Sequence, residues 1–143
     1  MTLRDILKVK GSHVHAIAPH DTVLDAVARL MEHRIGALLV LDAGGVVAGI
    51  ITERDVLREC QHRSATLGGI QVGEVMTRDL VLCRLDDGVE HAMELVTKNR
   101  VRHLPVMDGG RVAGMISIGD LVKATLDAAR DENQHLKEYI TAR

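Results

Sequence analysis

Two short stretches hold the residue types best placed to bind an anion-bearing ligand: Gly49-Ile50-Ile51-Thr52-Glu53-Arg54-Asp55 and Gly114-Met115-Ile116-Ser117-Ile118-Gly119-Asp120. In each, a glycine and two apolar residues read as the end of a buried strand. A hydroxyl residue then opens a helix, and an aspartate follows three places on. This sets a hydroxyl, helix-start N–H groups and a carboxylate around one small space, which suits a phosphorylated sugar. Hydroxyl-x-x-acid is also an N-terminal capping box, which needs no ligand. Thr22-Val23-Leu24-Asp25 has that form and reads as a cap alone. Capping does not call for the Gly-apolar-apolar lead-in, nor for its recurrence.

The elements that must position these stretches are themselves duplicated. Asp21, Val23, Ala26, Arg34, Val40 and Asp42 match Asp87, Val89, Ala92, Arg100, Val106 and Asp108 at an offset of 66 (92 − 26). Gly49, Ile51 and Asp55 match Gly114, Ile116 and Asp120 at 65 (120 − 55), because the turn Asp42-Ala43-Gly44-Gly45 is answered by the shorter Asp108-Gly109-Gly110. An indel confined to a turn, with register kept on both sides, marks a duplicated fold.

Each repeat reads as strand–helix–strand–strand–helix. In the first, Val14–Ile17 is a strand ended by Pro19, and Val23, Ala26, Val27, Leu30 and Met31 follow at helical spacing. Ala37–Leu41 is an apolar strand, the Asp/Gly turn leads into Val46–Ile51, and Thr52 opens a helix to about Cys60. In the second, Leu80–Arg84 is a strand and Asp87 caps a helix facing inward through Val89, Ala92, Met93 and Val96. His103–Met107 and Arg111–Ile116 pair, and Ser117 opens the last helix. The expected organisation is α/β: repeat 1 over 1–60, a connector at 61–73 containing Ser64, repeat 2 over 74–130 and a C-terminal helical extension at 131–143. Val122, Leu126, Ala129, Asn133, Leu136 and Ile140 give the last helix a short seam, which fits a dimer contact or a helix lying back on its own domain.

Composition narrows the function classes. With 143 residues the chain can bury a core without metal or disulfide staples. A net charge of -2, one Tyr and no Phe or Trp leave neither a basic footprint nor stacking platforms for nucleic acid. Cys60 and Cys83 lack metal spacing and fit a reducing, cytoplasmic setting, and no apolar run is of membrane length. His13 and His15 share a strand face, but no third ligand accompanies them. His20, His33, His62, His91 and His135 are scattered over loops and helix surfaces, so no metal site is expected. No nucleophile–base constellation or carboxylate pair stands out as catalytic.

The repeats resemble CBS domains, and the chain looks like a stand-alone bacterial CBS pair (a Bateman module) over nearly its full length. The features that carry the resemblance are Glu74-Val75-Met76-Thr77, Arg100-Val101-Arg102-His103-Leu104-Pro105-Val106 and the two Gly-apolar-apolar-Thr/Ser-x-x-Asp stretches. The resemblance implies two pseudo-symmetric repeats packed as one globule, with clefts between them for adenosine ligands: AMP, ADP, ATP, NAD or S-adenosylmethionine. It nominates Thr52 and Asp55 in one cleft and Ser117 and Asp120 in the other, the hydroxyls for phosphate and the acids for ribose. Adenine is expected near Ile17, Ala37 and Ile50, and near Val81, Leu104 and Met115. Thr77 and Pro105 join the expected ligand-binding residues, with Arg54, Arg102 and His103 as cations for phosphate. The implied role is non-catalytic sensing of energy or redox state by a homodimer that signals to an effector protein. The alternatives are a ligand-independent interaction module regulating an enzyme or transporter, and a small nucleotide-processing enzyme. Two departures stand out: Leu39 replaces the proline of repeat 2, and Gly119 replaces Arg54, so the clefts are chemically unequal.

Overall fold

The computed structural model describes residues 1–62 and 66–142; Ser64 of the expected connector lies outside them. In chain order the elements are α1 (Leu3–Lys10), β1 (Ala16–Ile17), α2 (Val23–His33), β2 (Ala37–Leu41), β3 (Val47–Thr52) and α3 (Glu53–His62). A 3-10 turn at Leu67–Gly69 leads to α4 (Val72–Val75), β4 (Cys83–Arg84), α5 (Val89–Asn99), β5 (His103–Asp108), β6 (Arg111–Ser117) and α6 (Ile118–Thr141).

The apolar runs make two three-stranded sheets, ordered β1-β2-β3 and β4-β5-β6. In each, the outer first strand is parallel to the middle one, and the middle one is antiparallel to the third. The expected mixed α/β architecture and repeated strand–helix–strand–strand–helix order are thus present, with both outer strands shorter than the sequence implied. β1 begins with the rung Ala16↔Leu39, where the Leu39 N–H donates to the His15 carbonyl (3.2 Å). At the matching position Pro105 has no N–H to donate. The second ladder therefore begins one residue later, at Cys83↔Val106, and Leu82 is left exposed.

Two compact units result. One is contiguous, His13–Leu80; the other is split, Met1–Ser12 with Val81 onward. Each has its own core. Ile17, Val23, Ala26, Leu30, Leu38, Val40 and Ile51 centre the contiguous one, with Ile70, Val72 and Met76 closing it. In the split unit Cys83, Val89, Ala92, Val96, Leu104, Val106, Ile116 and Leu121 are closed by Leu3, Ile6 and Leu7 of α1. Each buried Val, Leu, Ile or Met among them contributes about 1.5–3 kcal/mol.

The leading segments dock in matched ways. Val72 N–H donates to the Asp21 carbonyl (2.8 Å), and Leu3 N–H to the Asp87 carbonyl (3.0 Å). Asp21 and Asp87, paired by the repeat, use their carboxylates to close the strand-to-helix turn, accepting the N–H of Ala18 (3.0 Å) and Arg84 (2.8 Å). Asp87 is consequently not the cap expected for α5: that position is Gly88. Met31, which follows the others at helical spacing, is exposed and borders an apolar groove with Leu57, because α2 buries only its Val23, Ala26 and Leu30 side. α6 packs on its own unit at its start, through Leu121 and Ala124, while Val122, Leu126, Leu136 and Ile140 are exposed.

Candidate functional site

Both strand–helix junctions form as capping boxes, and each takes its geometry from the antiparallel hairpin that ends in it. In the contiguous unit Thr52 is the last residue of β3, opposite Ala37. Asp55 Oδ2 accepts the Thr52 N–H (2.9 Å) and hydroxyl (3.2 Å), while the Asp55 N–H donates to Thr52 Oγ1 (3.3 Å). In the split unit Ser117 stands opposite His103. Asp120 Oδ2 accepts the Ser117 N–H (2.8 Å), and the Asp120 N–H donates to Ser117 Oγ (3.2 Å). The next helical N–H is engaged in both: Glu53 donates to the Gly36 carbonyl (3.1 Å) and Ile118 to the Arg102 carbonyl (2.8 Å).

What surrounds the two aspartates differs. After α4 the chain extends, and Thr77 and Ile50 exchange backbone hydrogen bonds of 2.8 and 2.9 Å. That pairing brings the Thr77 hydroxyl to Asp55 Oδ1 (3.2 Å), where Arg58 Nη1 also donates (3.4 Å). Asp55 is 5% exposed and accepts four hydrogen bonds, about the capacity of a carboxylate. Gly49 makes the close approach possible: a Cβ there would lie 2.7 Å from the Thr77 carbonyl oxygen.

In the split unit α1 runs on to Lys10, whose ammonium donates to Asp120 Oδ2 (2.6 Å) and to the Met115 carbonyl (2.7 Å). The side chains of Lys10 and Asp120 are 38% and 24% exposed. Burial alone would raise the Asp120 pKa, but the hydrogen bond and charge of Lys10, with the Ser117 donors, hold it below the usual carboxylate range. Both partners of Asp120 fall on Oδ2, so Oδ1 has acceptor capacity left among the described residues. The pair lines a cleft of about 420 Å3 with Asp5, Val9, Lys123 and Asp127.

The other expected residues divide. Ala37, Ile50 and Thr77 gather around the Thr52–Asp55 junction, and His103, Pro105 and Met115 line the hairpin that leads to Ser117. Ile17 and Leu104 put their side chains into the two cores, and Val81 packs against one of them. Arg54 and Arg102 are exposed. Sequence reasoning missed Lys10 and Arg58; the i,i+3 spacing from Asp55 could have flagged Arg58, whereas nothing local links Lys10 to Asp120. His33 lies exposed on α2, as expected, and what the sequence did not show is that its ring stacks on His15 (4.0 Å), which meets His13 edge-on (4.6 Å). Burial, then the His33 and His13 charges, push His15 below its usual pKa. Among the described residues no group of three His, Cys, Asp or Glu is arranged to hold a metal ion. Both cysteines are free, and burial, with the Asp87 charge, pushes the Cys83 thiol up to about 11, far from a reactive thiolate. No helix among the described residues is long and apolar enough to cross a membrane.

Duplicated hairpins ending in hydroxyl-x-x-aspartate helix starts define the fold class, and the comparisons say which family has it. Residues 3–62 and 72–127 match the CBS domain, twice over, and the chain belongs to the CBS-domain family. It is 39% identical over 147 residues to the mitochondrial CBS domain-containing protein CBSX3 of Arabidopsis thaliana, covering 97% of this chain and 71% of that protein. A crystal structure of a CBS-domain containing protein from Agrobacterium tumefaciens superposes with a TM-score of 0.85 at 40% identity, over 87% of this chain and 99% of that one. CBSX2 in complex with AMP superposes with a TM-score of 0.72 at 27% identity, over 90% and 98% of the respective chains. One structure similar to this chain, CBSX2, thus holds an adenine nucleotide.

Proposed function

We propose that this chain is a non-catalytic sensor that binds an adenine nucleotide (AMP, ADP, ATP or NAD) and reports its occupancy to a separate effector protein. The observation that carries the reading is Asp120 Oδ1, a carboxylate oxygen with spare capacity beside a helix start, in a chain of the CBS family. A ribose diol supplies two O–H donors to such an oxygen, and the helix start at Ser117 favours a phosphate. Met115 gives the adenine an aliphatic setting over the buried Pro105, its partner in the hairpin, with Leu104 and Val81 as the further residues of that slot. At the other junction, Asp55 takes ribose only by giving up Thr77 or Arg58, with Ala37 and Ile50 beside it and Arg54 as the cation next along the helix. The homologue CBSX2 with AMP supports the ligand class. The exposed apolar residues Val122, Leu126, Leu136 and Ile140 support a homodimer formed through α6, and free thiols fit a cytoplasmic setting.

A thermal-shift panel of AMP, ADP, ATP and NAD tests this on wild type and Asp120→Asn. At 100 times its dissociation constant a ligand adds about 2.7 kcal/mol of stability. We expect one nucleotide to raise the wild-type midpoint by several degrees, with most of the shift lost in Asp120→Asn. No shift, from protein whose 260 nm absorbance shows no co-purified nucleotide, overturns it. The exposed seam of α6 favours a second reading, a ligand-independent interaction module. There, Leu126→Glu with Leu136→Glu abolishes self-association and partner binding while Asp120→Asn does neither.

A further inference from the structure

We infer that Lys10 is the specificity-determining cation of the Asp120 site, selecting phosphorylated ribosides over neutral nucleosides. The inference rests on the reading that this site takes an adenine nucleotide, and goes beyond it by assigning a residue from outside the repeat motif. Three observations lead here. The repeat puts Arg54 two places after Thr52, but puts Gly119 two places after Ser117, so the helix start of α6 carries no cation of its own there. The missing charge arrives from α1: Lys10 Nζ sits 2.6 Å from Asp120 Oδ2 and 2.7 Å from the Met115 carbonyl oxygen.

The third is stoichiometric. An ammonium has three N–H donors, and two are used here. One remains for an acceptor on the ligand, while Asp120 Oδ1 remains for a ribose hydroxyl. Lys10 also neutralises Asp120, which would otherwise repel a phosphate entering the same cleft. A nucleoside needs neither service, because it has no charge to balance and its hydroxyls donate to Oδ1 whether or not Lys10 is present. In the cleft Lys123 is a second cation, opposed by Asp5, which is committed to the Thr2 cap, and by Asp127. Neither Asp5 nor Asp127 contacts Lys10 within ion-pair distance, whereas Asp120 does. The anchoring of α1 through Leu3, Ile6 and Leu7 fixes the base of the lysine stem, so the charge is held at the site rather than sampled from solvent.

The test is a pair of site-resolved NMR titrations, AMP and adenosine, into 15N-labelled wild type, Lys10→Met and Lys10→Arg. The amides of Ser117 and Gly119 report the Asp120 site, and those of Thr52 and Arg54 report the other. Wild type is expected to bind AMP more tightly than adenosine at Gly119. Lys10→Met should cut that ratio by about tenfold through weaker AMP binding, with adenosine nearly unchanged. Lys10→Arg should keep most of it, and the Arg54 signals should not differ between variants. A dispersed Lys10→Met spectrum establishes that the fold is intact. If Gly119 responds to AMP in both proteins with the same AMP-to-adenosine ratio, the role of Lys10 is overturned and the nucleotide reading stands. If Gly119 responds in wild type to neither compound, nor to ADP, ATP or NAD added in turn, the nucleotide reading of this site falls and this inference with it.

Discussion

The same hydroxyl-x-x-aspartate junction is closed in one unit and open in the other. Asp55 is 5% exposed, with Thr52, Thr77 and Arg58 filling both oxygens; Asp120 is half-buried, with its bonds on one oxygen. The cap is common to both, so the difference comes from the leading segment. α4 stops after four residues and the chain then runs extended beside Ile50, delivering a neutral hydroxyl to the acid. α1 continues for eight residues and delivers a charged side chain at its last position. A backbone pairing seals a carboxylate into structure, whereas a long flexible cation neutralises it and leaves it reachable. One copy of the motif is thereby bound into the fold, while the other keeps a carboxylate oxygen with acceptor capacity left among the described residues.

The largest expected effect breaks this contrast directly. Asp55→Ala leaves the Thr52 N–H, the Thr77 hydroxyl and Arg58 without their acceptor and should cost roughly 2–3 kcal/mol, while Asp120→Ala should cost about 1 kcal/mol, the value of a lost cap. Urea unfolding of the two variants decides it, and equal losses would mean that the junctions are equally structural. Next come the glycines. A Cβ at Gly49 meets the Thr77 carbonyl oxygen at 2.7 Å, and one at Gly114 meets Leu7 Cδ2, also at 2.7 Å. A backbone carbonyl cannot rotate aside and a leucine tip can. Gly49→Ala should therefore cost about 1–3 kcal/mol, with faster hydrogen exchange at Ile50, and Gly114→Ala about 1 kcal/mol or less.

The smallest effect is on acid stability. The Asp120 carboxyl is held below its ordinary 3.8 in the folded protein. A depressed folded pKa stabilises the fold above the unfolded value, and that contribution disappears as pH falls through the folded one. The window therefore lies below about pH 4. Lys10→Met removes the main cause of the depression, so the difference in unfolding midpoint between wild type and Lys10→Met should narrow as the pH drops from 5 to 2.5.

Much of the fold was legible because its determinants are local. The constant offset across both hairpins, the Asp/Gly turns and the hydroxyl-x-x-aspartate spacing place strands, turns and junctions without any long-range contact. Pro105 carries a further local signal that the expected Leu80–Arg84 strand overlooks, since a residue without an N–H shortens the ladder beside it. What could not be read is what reaches the aspartates. Thr77 meets Asp55 from 22 positions away and Lys10 meets Asp120 from 110, each through docking that depends on a core completed elsewhere in the chain. Asp87 and Gly88 show a finer limit: an acid near a helix start can close the preceding turn instead of capping, and only the backbone path decides.

The split unit also has a consequence for how the protein is made. The contiguous unit can complete itself once residue 80 has emerged from the ribosome. Helix α1 leaves first, yet Leu104, Ile116 and Leu121, with which it shares a core, are synthesised last. At about 5–20 residues per second, this leaves α1 waiting roughly 5–20 s with Leu3, Ile6 and Leu7 uncovered. The neighbour most nearly complete in that interval is the contiguous unit, whose matching place is due to be taken by Val72 and Met76. Correct assembly then depends on the short α4 outcompeting a helix twice its length that has been present from the start.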